Sequence, residues 1–377
     1  MKKTTYLDYA ASTPLDPRVL KKMQSLILQN YANPSSIHSA GREARTIIEK
    51  SREKIASILH SKPEEIIFTS GGTESINLAI KGIAFQKSKG HIITSNIEHP
   101  AVLETCKYLE NKGFSVTYIE ADKYGLISPQ KIEQAIHRDT ILISIIYANN
   151  EIGTIQPIRE IGRIAQKHNI IFHTDACQAS QLDLNVERIS VDLLTLNGSK
   201  MYGPKDVGIL YKRYSVHINP LFHGGNQEFG LRSGTENVVG IVGFSKALEL
   251  TIRSKGSEEK RLIKLRDFFI AEILKKIPCV TLNGHPKKRL ANNISLSFAN
   301  IEAEALLRYL DQYGIYLSTG SACNSNKIEQ SHVLKAIAIP ESSGVIRFTF
   351  GRETTKDELK YVITILQEVI PQLQSLK

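Results

Sequence analysis

A lysine stands between two apolar runs in VDLLTLNGSKMYGPKDVGILY, residues 191–211. The first run ends at Asn197, a Gly-Ser-Lys turn presents Lys200, and a second apolar run follows. An amine held in a fixed, partly dry turn can lose its proton and attack a carbonyl carbon, the basis of Schiff-base enzymes. The plainer reading is a surface lysine in a hairpin, and the turn alone does not separate the two.

Further groups stand at the carboxyl ends of strand-like runs, where ligands of open α/β sheets gather. In Ser70-Gly71-Gly72-Thr73-Glu74-Ser75 two glycines let backbone N–H groups converge on one point, and Thr73 can cap the helix that follows. That arrangement suits a phosphate, and equally an ordinary capped turn. His99 follows HIITSNIE, and Asn149-Asn150-Glu151 follow ILISIIYA; each alone is compatible with a structural role. Asp175 closes IIFHTD, where a carboxylate can hold a ring nitrogen protonated, as a pyridoxal cofactor needs, or can cap a helix. Thr73, His99, Asn150 and Asp175 converging on one rim, with Lys200 beyond the next strand, would make a combined site. Cys323 lies in the Gly/Ser/Asn-rich stretch LSTGSACNSNK, which predicts an exposed thiol, either reactive or a liability. Neither G-x-G-x-x-G nor G-x-x-x-x-G-K-[ST] occurs, and the nearest approach fails at Pro204, against dinucleotide and P-loop readings.

The elements that must position these groups follow from hydrophobic period. A helix is expected over Asp16–Asn30, with Pro17 in its first turn, and an amphipathic helix over 39–60. From IIFTS (66–70) onward, continuously apolar runs alternate with helical segments, the pattern of a mostly parallel sheet covered on both faces. After Leu231 the pattern changes. A helical region spans Glu236–Lys276, with a break expected near Lys255-Gly256, followed by shorter strands at 293–298 and 344–350 and helices at 302–313 and 355–375. The predicted division is a large α/β unit over 16–255 and a smaller α+β unit from 1–15 with 256–377.

Composition narrows the class. Of 377 residues 41% are hydrophobic and 23% charged, ordinary values for a globular chain with a sizeable core. Lys and Arg number 48 against 38 acids, a net +10, but the basic residues are spread out with no aromatic-interleaved stripe. No direct nucleic-acid role is therefore read from them. No run reaches a membrane span of ~20 apolar residues, and MKKTTYLDYAASTP lacks a secretory apolar core, so the expected location is the cytoplasm. The cysteines, Cys106, Cys177, Cys279 and Cys323, show no metal or redox spacing.

Taken together, the segments LDYAASTPLDPRV (7–19), NPSSIHSAGREA (33–44), FTSGGTESINLAIKG (68–82), HIITSNIEHPAVLETC (91–106), ANNEIGTIQPI (148–158), HTDACQ (173–178), HGGNQEFGLRSGTEN (223–237), GSAC (320–323) and IRFTFGRETT (346–355) resemble the cysteine desulfurases over nearly the whole chain. The resemblance implies the aspartate-aminotransferase-like fold, with a large, mostly parallel seven-stranded sheet domain and a smaller α+β domain. It implies pyridoxal 5'-phosphate as cofactor, L-cysteine as substrate and L-alanine as product. Lys200 would carry the cofactor covalently and move protons, Asp175 would pair with the pyridinium nitrogen, Gln178 would bond the phenolic oxygen, and His99 would stack on the ring. Gly72, Thr73 and Ser199 would hold the phosphate beside Asn197, and Thr235 would reach a neighbouring subunit's phosphate, which requires a homodimer. Asn150 and Arg347, assisted by Asn33, would fix the substrate carboxylate. Cys323 would take the sulfur as a persulfide and pass it to an acceptor protein, an iron–sulfur scaffold or a tRNA-thiolation enzyme. No firm metal ligand set is implied, although Cys323 could contact a nascent iron–sulfur cluster.

Two positions depart from that pattern. Ser199 stands where the family has a histidine before the lysine, which removes a cationic contact, and Asp206 stands where a glycine is preferred. Two other readings remain open at this point. One is another pyridoxal enzyme of the same fold, an aminotransferase or selenocysteine lyase, with Cys323 incidental. The other is a catalytically silent scaffold, against which Lys200 argues.

Overall fold

The computed structural model describes residues 4–319 and 330–375. Its strands in chain order are β1 (Thr5–Tyr6), β2 (Ile66–Thr69), β3 (His91–Ser95), β4 (Ser115–Ile119), β5 (Thr140–Ser144), β6 (Ile171–Asp175), β7 (Leu193–Asn197), β8 (Gly208–Lys212), β9 (Val280–Asn283), β10 (Asn293–Ala299), β11 (Ile315–Tyr316) and β12 (Ser343–Thr349). The helices are α1 (Pro17–Ile27), α2 (Ser39–Leu59), α3 (Gly72–Ala84), α4 (Pro100–Glu110), α5 (Pro129–Gln134), α6 (Ile158–Lys167), α7 (Val238–Lys276), α8 (Ala303–Gln312), α9 (His332–Ala336) and α10 (Lys356–Ser375).

Seven strands form one sheet in the order β2-β8-β7-β6-β5-β3-β4. Every pairing from β7 to β4 is parallel, and only β8 runs against its neighbours β2 and β7. The sheet is therefore mostly parallel, as the alternating pattern requires. Successive side chains leave a strand on opposite faces. Ile67, Ile92, Leu142, Leu193 and Leu210 enter one core with α3 and α4 residues such as Ile80 and Leu109. Their neighbours Ile66, Ile93, Ile143, Leu194 and Ile209 enter the other, with Ile48 and Ile55 of α2 and Phe244 of α7. Burial on both faces is why these strands are apolar throughout rather than alternating.

A second group of elements has its own core. The antiparallel sheet β12-β10-β9 and the small parallel pair β1-β11 pack with α8, α10 and the second half of α7. Leu7 from the N-terminal segment lies in that core beside Leu262, Phe269, Phe348 and Leu366. Val333, Leu334 and Ile337 of the later chain instead join the large sheet's core, so the two units are stitched together at α9.

The expected helix break at Lys255-Gly256 is absent: α7 runs unbroken for 39 residues, about 58 Å at 1.5 Å per residue. One interior glycine costs only about 1 kcal/mol. Cores on both sides of it, together with a Lys255 Nζ bond to the Leu182 carbonyl (2.6 Å), outweigh that penalty. The helix after Asp16 stops at Ile27, three residues short of the expected end. Asp16 caps it by accepting from Arg18 N (2.9 Å).

Candidate active site

Because β2, β3, β5, β6 and β7 all run the same way, their carboxyl ends share one edge of the sheet. The structure thus brings Thr73, His99, Asn150, Asp175 and Lys200 to one rim. Lys200 ends a single 3₁₀ turn, Gly198–Lys200, that closes β7. Asn197 caps this turn, its Oδ1 accepting from Ser199 N and Ser199 Oγ, both at 3.2 Å. A side chain at Gly198 would strike Pro204 O at 2.7 Å, so the turn is sterically fixed from behind.

The amine of Lys200 is half-buried and donates to the carbonyls of Ala10 (3.0 Å) and Ala11 (2.5 Å). Gln178 Nε2 shares the Ala10 acceptor at 2.9 Å. Thr13 then ties the N-terminal segment to the Lys200 turn, through its N–H to Ser199 O (2.9 Å) and through its hydroxyl, which accepts from Tyr202 N (2.7 Å). Residues 10–13 are therefore a wall of the site, a role with no sequence signal because it is carried by backbone carbonyls.

Asp175 is buried at the end of β6, and its Oδ1 accepts from Cys177 N at 3.0 Å. No helix follows, so the capping alternative for this residue is set aside. His173, on the same face, is buried between Ser144 Oγ (2.8 Å) and Thr195 Oγ1 (3.1 Å). Burial depresses its pKa to about 4, which leaves it neutral beneath the carboxylate. Burial pushes the Cys177 thiol well above its usual value, Asp175 adding to the effect, so this thiol of the rim stays protonated.

His99 caps α4, its Nδ1 accepting from Ala101 N at 3.1 Å, which puts its proton on Nε2. Burial lowers its pKa, Lys200 and His332 lower it further, and Asp175 opposes them, so the ring is neutral at neutral pH. Thr73 behaves otherwise than expected. The cap of α3 is Gly71 (φ 145°), which has no side chain to cap with, and Thr73 is an exposed first-turn residue. The first N–H groups of α3 thus have no side-chain cap.

Arg347 on β12 is buried, donating from Nη1 to Asn150 O (3.1 Å) and from Nη2 to Asp8 Oδ1 (2.7 Å). Asp8, within LDYAAST, is a functional candidate that residue-by-residue reading passed over. Asn33 is exposed and turned into its own loop, its Oδ1 accepting from Ser35 N (2.9 Å), away from Arg347 in its bonding. Thr235 is exposed on the segment before α7. Cys323 lies outside the described residues. The chain on either side of it is nevertheless attached to the rim. Arg347 N donates to Ser318 O (2.8 Å), Ser331 Oγ to Glu151 Oε2 (2.7 Å) and His332 Nε2 to Glu98 O (2.8 Å).

Glu98 is the other residue missed. Fully buried beside His99, it accepts at Oε1 from Ile146 N (3.0 Å) and Ser95 Oγ, while Oε2 has no partner among the described residues. Burial pushes its carboxyl up to about 8, Asp175 adding to the effect and the two hydrogen bonds opposing it. Folded chain therefore holds a proton there that unfolded chain releases above about 4.5. From pH 4.5 to 8 this group subtracts stability as pH rises, at about 1.4 kcal/mol per unit. Glu98→Gln, neutral throughout, is expected to flatten the fall of melting temperature between pH 5 and 8; an unchanged slope would mean Glu98 is ionised in the fold.

The open cleft over the α3 terminus is about 360 Å³, bordered by Ala11, Gly72, Thr73, Asn197 and Ser199. A Cβ at Gly72 would meet Cys177 Sγ at 2.9 Å, so only glycine lets the cradle close this far. On the other side of the N-terminal wall, a second, narrow cavity of about 60 Å³ is lined by Tyr9, Gln178, Lys200 and Asn292.

The class-V aminotransferase family pattern matches residues 5–362. A protein of Dictyoglomus turgidum named cysteine desulfurase IscS is 52% identical over 100% of this chain and 97% of its own length. Its namesake from Methanosarcina thermophila is 50% identical over 99% of this chain and 94% of its own. The chain belongs to the cysteine desulfurases of the class-V aminotransferase family. Among solved structures, a NifS-like protein superposes with a TM-score of 0.92 at 40% identity, covering 98% of this chain and 100% of that one. Another, SspA in complex with cysteine, gives 0.82 at 40% identity, covering 92% and 99%. The cofactor of this family of enzymes, and of this chain, is pyridoxal 5'-phosphate. The residues present fit it: an amine on a fixed turn, a buried carboxylate, a neutral imidazole and a glycine-lined helix terminus open to a phosphate.

Proposed function

We propose that the chain converts L-cysteine to L-alanine and carries the sulfur on Cys323. The observation that carries this reading is the single rim that unites Lys200, Asp175, His99 and the α3 cradle, with chain on both sides of Cys323 anchored to it. The cofactor supplies an electron sink for bonds about the substrate's α-carbon. Lys200 would hold the cofactor and move protons, Asp175 would keep the ring nitrogen charged, Gln178 would bond the phenolic oxygen, and His99 would pack against the ring. Gly72, Thr73, Asn197 and Ser199 receive the phosphate. Arg347, with Asn150 and assisted by Asn33, binds the substrate carboxylate through its planar fork.

Cys323 then acts as nucleophile. Its thiolate forms an S–S bond to the substrate sulfur, the C–S bond breaks, and the electron pair passes to the substrate carbon, which takes a proton and leaves as alanine. The persulfide goes to an acceptor protein, an iron–sulfur scaffold or a tRNA-thiolation enzyme, in the cytoplasm. The working unit is a homodimer in which Thr235 reaches the partner's phosphate. Its exposed position and the exposed Leu28, Tyr31 and Ile37, at 85%, 87% and 90%, support an unsatisfied surface of that kind. The division into 16–255 and 1–15 with 256–377 belongs to the same proposal, supported by the core that joins Leu7 to Leu262.

Purified protein given L-cysteine without reductant is expected to release alanine and to gain the mass of one sulfur atom per chain at Cys323. Alanine without protein-bound sulfur would leave another pyridoxal chemistry in its place.

A further inference from the structure

We propose that Lys205 is the cation that answers the cofactor's phosphate in this chain. A bound phosphate ester carries about −1.5 to −2 charges, and a helix terminus alone offers roughly half a positive one. Among the described residues bordering the α3 cleft, Lys205 is the one cationic side chain. Ser199, beside it, contributes a hydroxyl and no charge. Of the two acids on the same border, Glu74 is paired with Arg232 (3.0 Å), which offsets it. The other is Asp206, Lys205's own neighbour.

The backbone fixes this placement. Gly208, the first residue of β8, pairs with Thr69 of β2 on one side and with Asn197 of β7 on the other. A Cβ at Gly208 would meet Gly71 Cα at 2.7 Å, so the strand start presses directly on the turn that opens α3. Gly203-Pro204-Lys205-Asp206 is therefore a tight loop between the Lys200 turn and β8, with Gly203 N bonded to Gly198 O (3.0 Å) and Gly198 N to Val207 O (3.0 Å), and its Lys205 and Asp206 border the cradle. Asp206 has φ 57°, the left-handed backbone a glycine takes freely, so the turn keeps a glycine-like path despite its side chain. Both Lys205 and Asp206 are exposed. A lysine there is a mobile point charge able to follow a phosphate, at modest gain because water screens it.

The inference rests on the α3 cradle as the phosphate site, and the experiment separates the two. Full-length protein freed of cofactor is titrated with pyridoxal 5'-phosphate and with pyridoxal, which lacks the phosphate, and visible absorbance gives Kd. Wild-type protein is expected to prefer the phosphorylated form strongly; no preference would overturn the cradle itself. Lys205→Ala is expected to raise Kd for pyridoxal 5'-phosphate roughly threefold to tenfold. It should leave pyridoxal unchanged and flatten the salt dependence of phosphate-form binding. Asp206→Asn, which tolerates the left-handed backbone, is expected to tighten the phosphorylated form alone by roughly twofold to threefold. A preference for the phosphate unaltered in Lys205→Ala overturns the proposal, as does equal weakening toward both ligands.

Discussion

Cys323→Ala is expected to lower sulfur release from L-cysteine by roughly a thousandfold or more, while the bound cofactor's visible absorbance persists. The colour is expected to persist because the substitution touches none of the groups proposed to hold the cofactor: Lys200, Asp175 and the α3 cradle lie on the sheet's edge, held by β6, β7 and α3. Turnover falls because no other thiol can take over. Cys106 is buried on α4 and pushed up to about 12, and Cys177, although on the rim, is held protonated by burial beside Asp175. Cys279 is exposed, but it is tied to Ala299 at one end of β10 while Asn293 at the other end touches Asn150. Six residues of strand separate them, about 20 Å. Cys323 is five residues beyond Ser318, whose carbonyl is bonded by the Arg347 N–H, so its reach from that anchor is at most about 18 Å. Sulfur release at the wild-type rate by the alanine variant, measured with alanine production in parallel, would remove Cys323 from the mechanism.

The sequence was most legible where local pattern and final role coincide. Strands β2 to β8 announce themselves because two-sided burial demands unbroken apolar runs, and the polar residues that end them are the rim. Lys200 was readable as soon as its flanking runs were recognised as adjacent strands. Legibility failed where a role depends on distant chain. Ala10 and Ala11 meet Lys200 through carbonyl oxygens that every residue has. Glu98 owes its raised pKa to full burial among distant chain, with Ile146 N bonded to it, which the tetrapeptide NIEH does not state. Thr73 looked like a cap because caps are usually Ser, Thr, Asp or Asn, yet Gly71 occupies that position. Gly256 looked like a break because interior glycine weakens a helix, and packing of α7 into two cores overrode it. The departure at Ser199 was visible as a missing charge, whereas its counterpart Lys205 became visible only when β8 was seen pressed against Gly71.

Lys200→Ala should be the most damaging change of all, on the order of 10⁴-fold or more in alanine formation. Two functions leave with one side chain. On the proposed reading the amine is the covalent attachment for the cofactor, and it is also the group on the fixed turn that would carry protons at the substrate's α-carbon. The surrounding fold is expected to survive, since the turn is held by Asn197, by the Thr13 bonds to Ser199 and Tyr202, and by the close contact of Gly198 with Pro204 O. The cradle is likewise expected to keep binding pyridoxal 5'-phosphate, now non-covalently and with the absorbance of the free aldehyde. Lys200→Arg separates charge from chemistry. A guanidinium can still donate to the Ala10 and Ala11 carbonyls, but it stays protonated and cannot attack a carbonyl carbon. Both variants should therefore be inactive, and a small primary amine added to Lys200→Ala should restore a fraction of the lost rate. Wild-type turnover in Lys200→Arg would show that the position needs only a positive charge, and the lysine that organises this rim would then be a structural cation.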